Sequence, residues 1–144
     1  MASFADNIAS RLADVGLAGA TLVSSSPSAQ SFGDGEAVFR LDGLLLRFVR
    51  DRRQAFVDIA SSAAPTEFHQ YDDIEIAMGW KTIDQVLAKR VPEDLGLVLE
   101  RLRTNLDVLG NAFSSDRERF TRARVERAAR ERGRAFADRL RGKK

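Results

Sequence analysis

His69 is the only histidine in the chain, and it titrates near neutrality without any perturbation. Glu67, Asp72 and Asp73 lie within four residues of it, so an imidazole–carboxylate acid/base pair is conceivable. The other parts of a working site are missing from the sequence. It has no Gly-x-Ser-x-Gly elbow, no His-Glu-x-x-His and no second histidine for a metal triad. With no cysteine, disulfides, thiolate nucleophiles, iron–sulfur clusters and the usual Cys/His zinc sites are excluded. His69 therefore reads as an ordinary loop or partly buried histidine. The chain reads as non-catalytic, with no catalytic residue, metal ligand or cofactor to assign. Gly33-Asp34-Gly35 leads into a strand rather than from a strand into a helix, so it reads as a turn and not as a phosphate cradle.

What remains is binding chemistry. Tyr71, Asp72, Asp73, Glu75 and Trp80 bring the only tyrosine, the only tryptophan and three acids within ten residues, and Glu67 stands just before them. Tyr and Trp supply large rigid contact area, while the acids would steer a basic partner toward it. These six residues are the candidate partner-binding set. Trp80 could equally be a core plug between sheet and helices. The acids must face water, a partner or the arginines of their own chain. Arg47, Arg50, Arg52 and Arg53 gather at a strand end, with Asp51 and Asp58 available to pair with them. They read as a solvated edge that discourages sheet aggregation, or as an anion- or partner-contacting corner.

Charge is divided along the chain. Residues 117–144 hold 12 Lys or Arg against 4 acids, which leaves 11 basic and 17 acidic residues in 1–116, for a net charge of +2. The basic tail could neutralise nucleic-acid phosphates or lie on an anionic membrane. Glu118, Glu126, Glu131 and Asp138 interrupt it at pairing distance from arginines, so a salt-bridged, solvated helix with at most weak nucleic-acid binding is expected.

The elements that must position these residues follow from local patterns. Ser3 and Asp6 stand at capping-box spacing ahead of Phe4, Ile8, Leu12 and Val15, which predicts a helix over 3–15 closed by Gly16. Ala20–Val23 is a short apolar run. The Ser-, Gly- and Pro-rich stretch after it reads as a surface loop. Asp42-Gly43 between two apolar runs predicts a hairpin pairing Glu36–Leu41 with Leu44–Arg50, and a third strand, Gln54–Ala60, follows the turn at 51–53. Alternation places Phe39, Leu41, Leu44, Leu46, Phe48, Val57 and Ile59 on one buried face of about four antiparallel strands.

After Tyr71 the period changes to three and four. A short helix over 72–78 has acids in its first turn, and Thr82 and Gln85 form a second capping box. Pro92 opens a longer helix with Leu95, Val98, Leu99, Leu102, Leu106, Leu109 and Phe113 on one stripe. Ser115 and Glu118 cap a last helix over 116–142, whose thin, Ala-dominated face predicts weak packing or projection. The whole is a single α+β domain over 1–144, with an N-terminal helix, an antiparallel meander and then helices on one face of the sheet. Its 144 residues, 44% hydrophobic and 31% charged, suit one core. No run approaches the roughly 18 apolar residues of a membrane span, and the N-terminus is acidic and amphipathic, so a soluble, unprocessed, cytoplasmic protein without membrane contact is expected.

The segment Gly43–Val86 has a strand ending in the turn Arg50-Asp51-Arg52, a second strand, an acidic and aromatic loop and a short helix. In this it resembles small bacterial immunity proteins of polymorphic toxin systems. The resemblance implies a protein that binds a cognate toxin domain and neutralises it by covering its active site, without catalysis of its own. The Arg-rich tail departs from that pattern, since an inhibitor of a basic nuclease would be acidic throughout, and this admits a toxin that is not a nuclease. The alternative expectation is a nucleic-acid-associated or regulatory protein acting through the C-terminal helix.

Overall fold

The computed structural model describes residues 3–27, 35–51, 54–89 and 93–142. Residues 28–34, including Gly33-Asp34, together with Arg52, Arg53 and Pro92, lie outside the described residues. Helix α1, Phe4–Asp14, begins at the Ser3/Asp6 box: the Asp6 amide donates to Ser3 Oγ at 3.1 Å and the Ser3 amide donates to Asp6 Oδ2 at 3.3 Å. Gly16 (φ 83°) ends it, as the amide of Leu17 reaches the carbonyl of Leu12 and that of Gly16 the carbonyl of Ala13. Only a residue free of the Cβ clash enters this left-handed cap without cost.

Strands β1 (Thr21–Pro27), β2 (Gly35–Leu41), β3 (Leu44–Asp51), β4 (Gln54–Ser61) and β5 (His69–Gln70) form an antiparallel sheet in sequential order. The hairpin register is Leu41 opposite Leu44, and Asp42 (φ 53°) takes the left-handed conformation of the first position of a primed turn. Two features differ from the local reading. First, β1 runs on through Ser24–Ser26, because the β2 ladder supplies partners that serine propensity does not, with a bulge between Leu22 and Ser24. Second, His69 and Gln70 pair with Ile59 and Asp58 as a fifth strand too short to leave an alternation signal.

The alternating face of the meander is buried as expected. Ala37, Phe39, Leu41, Leu44, Leu46, Phe48, Val57 and Ile59 pack against Ile8 and Leu12 of α1 and against the helices that follow. Phe39 and Phe48 meet edge to face at 6.0 Å. Each large apolar side chain buried here contributes about 1.5–3 kcal/mol relative to exposure.

Helix α2 is Tyr71–Ala77, α3 is Ile83–Leu87, α4 is Leu95–Thr104, α5 is Leu106–Ala112 and α6 is Glu118–Gly142. The stripe from Leu95 to Phe113 thus belongs to two helices rather than one. Asn105 (φ −101°, ψ 11°) leaves helical backbone between them. Leu99, Leu102, Leu109 and Phe113 are still buried. The last helix does not project from its root. Val125 and Ala128 are buried, and Thr121 Oγ1 donates to the Ala112 carbonyl.

Candidate functional site

The two residues of β5 bring the chain to the edge of β4 and release it directly into α2, which fixes where Tyr71 and the acids fall. Gly79 (φ 78°) then closes α2, with the Trp80 amide bonded to the Glu75 carbonyl and the Gly79 amide to that of Ile76. Over two turns, the helix points its carboxylates in different directions.

Glu75 is buried at 1% exposure, and both of its oxygens are held by Arg101 of α4, at 2.9 Å from Nε and 3.2 Å from Nη2. The same guanidinium grips Glu93 twice, each bond 2.8 Å. Lys81 stands 3.4 Å from Glu75 and 2.9 Å from Glu93, and Lys89 stands 2.8 Å from Asp72 and 3.5 Å from Glu93. Three carboxylates thus face three cations. Hydrogen bonds from Arg101, reinforced by Lys81 against the cost of burial, hold Glu93 down at about 2. Burial opposes the charge on Arg101, yet its bonds to Glu93 and Glu75 raise its pKa. Oxygens of Asp72, Glu75 and Glu93 lie within 4.8 Å of one another, but a metal ion would have to displace these three cations to use them.

Asp73, 4% exposed, faces the other way. Arg132 of α6 holds it in a bidentate pair, 2.5 Å from Nε to Oδ1 and 3.1 Å from Nη2 to Oδ2, and this bonding raises Arg132 against the effect of its burial. Arg122 reaches the exposed Glu67 at 3.6 Å, Arg124 donates to the Ala77 carbonyl at 2.6 Å, and Arg139 reaches Asp84 at 2.9 Å. Of the three destinations open to the acids of this segment, the arginines and lysines of their own chain receive them.

Tyr71 is buried. Burial and the Glu75 carboxylate push its hydroxyl up to about 12; Asn105 opposes the shift but does not reach hydrogen-bonding geometry, so Oη has no partner among the described residues. Trp80 is half-buried against the core, between the two roles the sequence allows it. The imidazole of His69 lies 6.1 Å from the Phe113 ring, and its Nε2 is buried without a hydrogen-bond partner among the described residues. Burial lowers its pKa, with Glu126, Glu67 and Glu118 opposing. In the arginine corner, Arg47 bonds Asp58 at 2.8 Å and lies 4.3 Å over the Phe68 ring, and Arg50 lies 5.3 Å over that of Phe4.

Beside the ion network, a cleft of about 590 Å³ opens between the first half of β4 and helices α2, α3 and α4. Val49, Phe56, Val57, Val86, Leu95 and Val98 form its apolar walls, with Asp72, Lys89, Glu93 and Arg101 among its polar lining. Phe56 remains 42% exposed there. Of the candidate set, Tyr71 and Asp72 line the cleft, whereas Asp73 turns to α6 and Glu67 lies toward Arg122. Sequence reasoning missed Lys81, Lys89, Glu93, Arg101 and Arg132. No motif marks them, since Glu75 and Arg101 are 26 residues apart and Asp73 and Arg132 are 59. No protein-family model matches the chain, and no curated protein or solved structure is significantly similar to it.

Proposed function

We propose that the chain is a non-catalytic protein-binding module that takes a cognate toxin domain as its partner, in the manner of bacterial immunity proteins. The observation that carries this reading is the cleft: an exposed aromatic, Phe56, stands over apolar walls and is bordered by the Asp72–Lys89 pair. An aromatic anchor on an apolar centre inside a polar rim is how protein interfaces concentrate their binding energy. The groups that could do chemistry nearby are otherwise engaged. The carboxylates are compensated by cations, and His69 is half-buried, its pKa lowered by desolvation. Asp72 and Lys89 would orient the partner, and the triad that Arg101 forms with the buried Glu75 and with Glu93 would keep the walls in place.

Co-expression with a toxin-domain partner followed by affinity capture tests the proposal. Phe56→Asp, which needs no change in the core, should abolish capture while leaving the circular dichroism unchanged; full capture by that variant would remove the cleft from consideration. His69→Ala should keep both capture and protection of cells from the toxin. A folded His69→Ala protein that still captures the partner but no longer protects would overturn the non-catalytic reading.

A further inference from the structure

We infer that the outward face of α6 is a contact surface for a nucleic-acid phosphate backbone, a role independent of the cleft. The helix sorts its charges by face. Its inner face buries Val125 and Ala128 and carries Arg122, Arg132 and Arg139 to acids elsewhere in the chain. Steps of three, four and seven or eight residues lead along the opposite face through Arg119, Arg127, Arg130, Arg134 and Arg141, all exposed, with Ala123 and Ala137 between them. Glu118 is buried at the inner face, whereas Glu126, Glu131 and Asp138 border the row, each three or four residues from at least one of its arginines.

Arg119, Arg130 and Arg134 have no ion pair among the described residues. Arg127 and Arg141 have only Glu131, at 3.5 Å, and Asp138, one turn away on the same helix. At 1.5 Å per residue the row is about 33 Å long, close to one turn of duplex. The flanking acids thus engage two of the five arginines, and Arg119, Arg130 and Arg134 leave the face net positive.

The chemistry favours phosphate over an acidic protein surface. α6 holds nine arginines and no lysine, and guanidinium matches phosphate oxygens bidentately. A protein partner would need an apolar anchor at the centre of the face. Here alanines fill the gaps between arginines, and the exposed apolar side chains of α6, Phe120, Phe136 and Leu140, lie off the row.

The test is fluorescence anisotropy of a labelled random-sequence DNA duplex against the full chain, over about 50 to 200 mM salt. Three to five phosphate contacts predict binding in the range of about 10⁻⁴ to 10⁻⁶ M, with a log–log salt slope of roughly −3 to −4.5. Arg130→Gln with Arg134→Gln should flatten the slope by about 2, whereas the charge-matched Arg40→Gln with Arg103→Gln, both exposed and off this helix, should leave it nearly unchanged. No binding at the low-salt end, equal losses in the two double variants, or equally tight binding of polyglutamate would each overturn the inference. Cleft variants such as Phe56→Asp should bind the duplex normally, so failure here is separable from failure of the protein-binding proposal.

Discussion

Arg101 holds two carboxylates from different parts of the chain, and one of them, Glu75, is among the most deeply buried side chains of the fold. Removing the guanidinium leaves that charge with Lys81 alone. Arg101→Met should therefore cost about 3 kcal/mol by urea denaturation, and adding Glu75→Leu should recover much of the loss, because a buried pair replaced by apolar groups is often nearly neutral. Wild-type stability in the single variant would show that the triad is not structural. Glu93 provides a pH readout. Its native carboxyl titrates at about 2 against an ordinary value of 4.5, so its contribution is fully present above about 4.5 and is lost as pH falls from there toward 2. Glu93→Gln should flatten the acid limb of a stability–pH profile in that window; an unchanged limb would assign acid sensitivity to other groups.

At the level of the element, glycines separate conformational need from helix propensity. Gly79 has φ 78° with nothing within 4 Å of where a Cβ would stand, so Gly79→Ala should destabilise by about 1–2 kcal/mol through backbone strain alone. Gly133 lies inside α6 with equally open space, and there Gly133→Ala should stabilise by roughly 0.5–1 kcal/mol. Thermal melts of the two variants should move in opposite directions. Element boundaries were legible wherever the signal was local. The Ser3/Asp6 and Thr82/Gln85 boxes and the Asp42-Gly43 hairpin form as read, because each depends on residues within a few positions of one another. The Ser115/Glu118 cap does not form, since the Glu118 amide bonds the Ser114 carbonyl and its carboxylate turns to Arg122. The break at Asn105, the extension of β1 through serines and the two-residue β5 were not legible, since a neighbouring strand or packed helix imposes them against weak intrinsic preference.

For the whole molecule, the unequal charge of the two parts of the chain is resolved in part internally. The body left when 117–144 is set aside has 11 basic and 17 acidic residues, and α6 returns arginines to Glu67, Asp73 and Asp84. Deleting 122–144 should consequently lower the melting temperature and solubility, since it uncovers α2 and leaves the buried Asp73 without its cation. A truncated protein as stable as the full chain would mean that α6 is an appendage. By itself the sequence determined the α+β class, the order of helix, meander and helices, and the buried face of the sheet, because hydrophobic period and turn chemistry act between near neighbours. Only the tertiary structure decided what the charged residues do. Any of 23 basic side chains could meet any of 21 acids, and ion pairing carries no period, so the acidic segment near Tyr71 and the arginines of the tail became partners of one another, leaving one arginine face and one apolar cleft turned outward.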